Sequence, residues 1–427
     1  MSAPRVTTLD SGVRIVTESM DSVRSVALGF WIGTGSSHED EPRAGLSHLI
    51  EHMLFRGTAR YGSLEIDQIF DAMGAELNAG TGKETTSVYA RVLDVHLPEA
   101  LEVIADMVWR PRFAEDDLVN ERQIVLEEIA MYEDEPSDRV HDVLADAVFG
   151  DHPLGRRVIG EADVIASIPV PDIAEYHRHR YVGPNIVVSA AGHVDHDRIV
   201  ELARRHVAPP GPNGRPASDG SAAAERSPRR CFYEKKTEQY HLCLGAPGIP
   251  RGDDRRFALG VVNAVFGGST SSRLFREVRE KRGLAYAVGS YSDEYMDDGV
   301  VATYVGTRED TVGEAMDVIG HELASIATDG VSDEELTRAK EHIKGRMVLG
   351  LESSSARMSR IARATLYGVP LLSLDEMLAK VDAVDSEQAA QIAAEFYAPD
   401  RFSAACVGGD EEVFRRALEP VSPALAA

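Results

Sequence analysis

Residues 181–195 read YVGPNIVVSAAGHVD, and residues 396–410 read FYAPDRFSAACVGGD. Each stretch leaves a short helix through a proline turn, enters an apolar β-strand and closes on glycine. The likeness extends outward from both. Each half of the chain opens with an alternating strand, 23–32 in the first and 239–245 in the second, followed by a Gly/Pro/Asp turn and a long helix. Two such pairings in the same order, about one domain length apart, point to a duplicated fold. The expected class is α+β, with two similar domains, each a mixed, mainly antiparallel sheet with helices packed on it.

A chain of 427 residues is long enough for two hydrophobic cores. The seam is expected at residues 208–230, where Pro, Gly, Ser and small side chains bury too little apolar surface to fold. That division gives a first domain over 1–207, a flexible linker over 208–230 and a second domain over 231–427.

Composition narrows the function. The formal net charge of -25, from 45 basic and 70 acidic residues, repels nucleic acid and favours basic or neutral peptides as partners. Mean hydropathy is -0.20, and no apolar run reaches the roughly 18 to 20 residues that a membrane span requires. The N-terminal residues show no apolar signal core; 6–9 and 13–17, divided by Asp10-Ser11-Gly12, predict a hairpin instead. Cys231, Cys243 and Cys406 are far apart, odd in number and outside any C-x-x-C pattern. They read as buried thiols in a reducing compartment, so a cytoplasmic protein is expected.

The sharpest chemical signal lies in residues 44–58, AGLSHLIEHMLFRGT. Leu46, Leu49, Ile50, Met53 and Leu54 recur at helical spacing and predict an amphipathic helix beginning near Pro42. His48 and His52 then leave one face a turn apart, with Glu51 beside them. Two neutral imidazoles so placed can hold Zn2+, and H-x-x-E-H is the inverted form of the zinc-protease helix motif. The bland alternative, histidines capping carbonyls and Glu51 facing water, leaves unexplained why three titratable groups interrupt so apolar a helix.

Catalytic zinc takes a third protein ligand. Residues 115–136, EDDLVNERQIVLEEIAMYEDEP, predict a long helix ended by Pro136, with Leu118, Ile124, Val125 and Ile129 on its apolar face. Glu121 and Glu128 are two turns apart and share a direction. Either can ligate while the other holds an imidazole by its second nitrogen. Glu127 points about 100° away and reads as solvated.

The His48-Leu-Ile-Glu51-His52 motif with the distant N-E-R-x-I-V-L-E-E-I resembles the M16 (pitrilysin/insulinase) metallopeptidases. Size and the two similar halves resemble the M16B branch, which includes mitochondrial processing peptidase and bacterial relatives. The resemblance implies the LuxS/MPP-like metallohydrolase fold and zinc on His48, His52 and Glu128. It implies Glu51 as general base on zinc-bound water, with Glu121 behind the ligands. Residues 74–85, GAELNAGTGKET, resemble the family's substrate-binding edge strand, which puts Asn78, Ala79 and Gly80 against the peptide; the bland reading is a glycine-broken strand end.

The second half lacks H-x-x-E-H, and residues 257–280 are apolar where ligands would stand. Its 279–286 run, REKRGLAY, resembles the family's Arg and Tyr that face the zinc, so Arg279 is expected on a substrate carbonyl or carboxylate and Tyr286 on the developing oxyanion. Apart from the resemblance, Arg279 is a helix arginine and Tyr286 a core aromatic. In the family one site is completed by opposing two-domain units. A chain of this length is therefore expected to pair, as a homodimer or as a heterodimer with an M16B paralogue. The implied activity is zinc-dependent endopeptidase cleavage of short or unfolded peptides. The alternative is a non-catalytic or assembly subunit of an M16B heterodimer, against which the intact Glu51 argues.

Overall fold

A computed structural model of the protein describes residues 3–207 and 227–427. Residues 208–226 of the expected linker lie outside the described residues, and its last residue, Arg230, opens a strand.

The first sheet is built from β1 (Arg5–Thr8), β2 (Arg14–Ser19), β3 (Ser25–Ile32), β4 (Glu76–Thr81), β5 (Thr86–Leu93) and β6 (Ile186–Gly192). Their order is β1-β2-β6-β3-β5-β4, with β2 and β6 parallel and the other neighbours antiparallel. The second holds β7 (Arg230–Glu234), β8 (Tyr240–Pro247), β9 (Ala285–Glu294), β10 (Gly299–Thr307) and β11 (Ser403–Gly408). Its order is β7-β11-β8-β10-β9, again with a single parallel pair, β7 and β11. Set β1 aside and the two topologies coincide strand for strand. The matching stretches at 181–195 and 396–410 supply the equivalent strands β6 and β11, so the sequence repeat is a repeat of fold.

Five helices position the chemistry and the sheets: α1 (Leu46–Leu54), α2 (Glu115–Asp134), α3 (Pro136–Phe149), α4 (Arg256–Phe266) and α5 (Ser354–Tyr367). Pro136 stops α2 as expected, and it also becomes the first residue of α3, where its missing N–H costs nothing.

Two compact units emerge, and they interleave with the linear halves. Among the described residues, one comprises 3–129, 156–207 and 349–373; the other comprises 130–155, 227–348 and 374–427. Within the first unit α5 covers β2, β3 and β6; within the second, α3 covers β7, β8 and β11. Each sheet therefore has one face covered by a helix from the other half of the sequence. A glycine in each of these sheets permits the close approach. A Cβ on Gly29 of β3 would stand 2.9 Å from Met358 Sδ of α5, and one on Gly245 of β8 would stand 2.9 Å from Leu144 Cδ1 of α3. Buried Glu18 pairs with Arg357 and Arg360 and pins α5 in place.

The entry to α1 is tightly built. The motif helix starts at Leu46, after a short turn at Glu41–Arg43, and not near Pro42. Gly45 caps it at φ +94°, and Gly160, at φ +81°, lies so close that a Cβ there would sit 2.3 Å from Gly45 Cα. Gly160→Ala is expected to cost about 3 kcal/mol through left-handed strain plus a backbone clash. Gly74→Ala, also at positive φ but with nothing within 4 Å, isolates the conformational part, about 1 kcal/mol. Urea unfolding of the two variants measures the difference; equal losses would mean that the Gly45–Gly160 contact is unimportant.

Candidate metal centre

α1 buries Leu46, Leu49, Ile50, Met53 and Leu54 completely, as its periodicity demands. That burial fixes the rotation of the helix and brings His48 and His52 together, ring centroids 4.7 Å apart. α2 buries Leu118, Glu121, Val125 and Ile129. Ile124, expected on that apolar face, is instead 44% exposed. The buried row advances by three and four residues and passes over position 124, and Glu121 occupies the place an apolar residue would take.

Glu128, the second-last residue of α2's first-unit portion, reaches the histidine pair. Its Oε2 lies 3.5 Å from His48 Nε2 and 3.4 Å from His52 Nε2. One donor atom from each of the three residues falls within 4.8 Å of the others. Two donors bound tetrahedrally at zinc distances stand about 3.4 Å apart, so the spacing suits a single such ion. The donor set of two imidazoles and a carboxylate is also the type that leaves one position open. Glu121 takes the other role: its Oε2 meets His52 Nδ1 at 3.0 Å, and Oε1 pairs with Arg56 Nε. That contact turns the Nε2 of His52 toward Glu128. Among the described residues His48 has no equivalent orienting partner; its Nδ1 is buried without a hydrogen bond to any of them.

Electrostatics separate the two imidazoles. Burial, reinforced by the neighbouring His52, pushes His48 down to about 4 despite the pull of Glu128. Burial also opposes protonation of His52, but hydrogen bonds and charge from Glu121 and Glu128 outweigh it and lift His52 to about 9. The His52 bond holds Glu128 below the ordinary carboxylate range, against its partial burial. Glu51 lies beside the three and outside their cluster. Burial raises its carboxyl, and the hydroxyl of Thr81 on β4, which donates to Oε2, counters only part of that rise.

Comparison with known proteins identifies the lineage. Residues 14–162 match the family model described as insulinase (peptidase family M16), and 167–343 match the one described as the peptidase M16 inactive domain. A protein of Streptomyces coelicolor named as a zinc protease is 42% identical over 91% of this chain and 86% of its own length. Another so named, from Bacillus subtilis, is 40% identical over 92% of this chain and 95% of its own. This chain belongs to peptidase family M16. Two solved structures share the fold of the M16 chain at a TM-score of 0.88. They are a protease from Helicobacter pylori, 21% identical, covering 95% of this chain and 99% of that one, and an M16 inactive domain from Pseudomonas fluorescens, 22% identical, covering 95% and 98%.

Of the other residues singled out in the M16 chain, Asn78, Ala79, Gly80 and Tyr286 lie on outermost strands, and Arg279 lies on the helical turn Phe275–Glu280. Asn78, Ala79 and Gly80 lie on β4, the outermost strand of the first sheet, in register with Tyr89, Val88 and Ser87. The Asn78 side chain accepts from the Ala79 N–H at 2.8 Å, which shields one donor of the edge. Arg279 and Tyr286 meet each other in the second unit. The guanidinium stands 4.3 Å over the phenol ring and Nη1 donates to the Tyr286 carbonyl at 3.1 Å. Tyr286 is 77% exposed at the start of β9, the outermost strand of the second sheet. The core-aromatic reading therefore fails. Sequence reasoning missed Arg56 and Thr81, whose partners come from other elements and leave no local pattern. All three cysteines are free thiols; Cys243 and Cys406 are buried as expected, but Cys231, on the outermost strand β7, is only half-buried. No helix among the described residues is long and apolar enough to cross a membrane.

Proposed function

We propose that this M16 chain is a zinc-dependent endopeptidase acting on short or unfolded peptides. One observation carries the reading: His48, His52 and Glu128 converge at ligand spacing while Glu51 stands beside them outside the donor set. Zinc held by those three donors supplies Lewis acidity, which makes water acidic near neutral pH and polarises a carbonyl. Glu51, raised by burial, takes a proton from water and passes it to the leaving amine. Thr81 keeps its carboxylate aimed, and Glu121 keeps His52 aimed. The outer edge of β4 offers main-chain groups that an extended peptide can pair with irrespective of its side chains, which suits Asn78, Ala79 and Gly80 to substrate binding. Arg279 holds a substrate carbonyl or carboxylate, and Tyr286 donates to the oxygen that gains charge.

The names of the relatives, zinc proteases of two bacteria, support this reading. We further place the chain in the M16B branch, in the cytoplasm, and in a dimer. One zinc set and one Arg/Tyr pair per chain suit a homodimer with two equivalent sites, and an M16B paralogue is the alternative partner. Metal removal provides the test. A strong chelator should reduce cleavage of an unstructured peptide to background, and one zinc per chain should restore it; cleavage indifferent to the chelator would reject the proposal.

A further inference from the structure

α1 is nine residues long, yet it carries His48, Glu51 and His52. A helix that short has little intrinsic stability, and its first turn leaves backbone donors unpaired. The side chain that serves them comes from outside the helix. Glu39, only 1% exposed, accepts from the Gly45 N–H at 2.7 Å with Oε2 and from the Ser47 N–H at 2.6 Å with Oε1. Both carboxylate oxygens are thus committed to the end of the helix where an anion is favoured. Ser47 immediately precedes the ligand His48. The strand-to-helix loop holding Glu39 is itself clamped. Arg156 donates to the Glu39 and Ser37 carbonyls, and Arg180 donates to the His38 carbonyl at 2.9 Å.

We propose that Glu39 is a positioning residue for the metal centre: its carboxylate, gripping the Gly45 and Ser47 amides, holds the first turn of α1 where His48 and His52 can share an ion with Glu128. The inference rests on the zinc reading and adds to it a residue that touches neither ligand nor substrate. Only the ionised form offers both oxygens as acceptors; protonation converts one into a donor and frees an amide. Burial raises Glu39 to about 7, against the hydrogen bonds from Ser47 and Gly45 and the charge of Arg156. The other titratable and charged groups around it are Tyr176, whose hydroxyl lies 3.3 Å from Ser47 Oγ, the clamping Arg156 and Arg180, and the neighbouring His38, whose ring Nδ1 is turned to the Gly35 N–H at 3.2 Å. Tyr176, raised further above its ordinary value by burial, stays neutral between pH 6 and 8.5.

The test measures zinc affinity of the full chain against a chromogenic chelator, wild type beside E39Q, at pH 8.5 and pH 6.0. Taking the ratio of the two proteins cancels the proton that zinc displaces from His52, because both proteins carry it. E39Q should bind zinc about 10-fold more weakly at pH 8.5, in the range for removing a residue that supports a metal ligand. The ratio should shrink to within about twofold at pH 6.0, where Glu39 is mostly protonated in the wild type. Equal affinities at pH 8.5, or a deficit that does not change with pH, would overturn the assignment. Should E39Q not fold, E39D is held to the same two expectations, since its carboxylate is one carbon short of spanning both amides. A wild-type chain that binds no zinc sinks the metallopeptidase reading itself, which this inference requires; a wild type that binds zinc with a ratio near one sinks only the role of Glu39.

Discussion

Glu51→Gln is expected to retain one zinc per chain while kcat for an unstructured peptide falls about 10²- to 10⁴-fold. The substitution keeps the shape of the side chain and leaves an oxygen for the Thr81 hydroxyl. It also spares the three-donor cluster, which lacks Glu51. What it removes is the capacity to take up a proton. Under the proposed function β4 holds the peptide through its main chain, so KM should change little. The pH profile gives a second readout. Burial raises the Glu51 carboxyl above its ordinary 4.5, and a general base works only when ionised. Wild-type kcat/KM should therefore rise with pH through a midpoint above 4.5, and that acidic limb should be absent from the residual activity of E51Q. Zinc analysis and peptide kinetics on the same preparations decide the matter. Full activity would rule out the base assignment, and loss of zinc would make Glu51 a determinant of metal binding instead.

The His48–His52 pair was legible because helical period and ligand chemistry are both local: five apolar residues fix the rotation of α1 and the histidines follow. Spacing did not separate Glu121 from Glu128, since two helical turns give both the same direction; the family resemblance alone pointed to Glu128. The structure sets Glu128 against both Nε2 atoms and Glu121 against Nδ1 of His52 with Arg56 behind it. The duplication was readable from two strand-and-turn signatures. The exchange of α3 and α5 between the halves was not, because an amphipathic helix records that it covers an apolar surface but not which one. Glu39 and Thr81 escaped for the same reason. Neither follows a capping-box or ligand spacing, and each finds its partner only when a loop or an edge strand folds back onto α1. Ile124 shows the converse error, an apolar residue assigned to a core face that a buried acid occupies.

Zinc affinity is expected to climb about 10-fold per pH unit from pH 7 toward pH 9 and then level off. The reasoning concerns which protons the metal must displace. His48, held down to about 4, is already neutral across this range. Glu128, held below the ordinary carboxylate value, is already ionised. His52, lifted to about 9, still carries its proton, so one proton leaves for each zinc bound below that value. The metal-free fold responds with the opposite sign. A histidine whose folded value is raised above 6.5 stabilises the fold fully below pH 6.5 and loses that contribution as pH rises through about 9. Metal-free stability from this pair should therefore fall over the same interval in which zinc binding tightens. Glu121→Gln separates the two effects of its carboxylate. It weakens the hold on the His52 ring, which should cost 10- to 100-fold in affinity at pH 9. It also releases the charge that keeps His52 protonated, so the deficit should narrow toward pH 7, where wild type alone must still expel the proton. Competition titrations at pH 7, 8 and 9 on both proteins distinguish these contributions. An affinity flat across that range in the wild type would mean that His52 is neutral without metal and that Glu121 orients the ring without charging it.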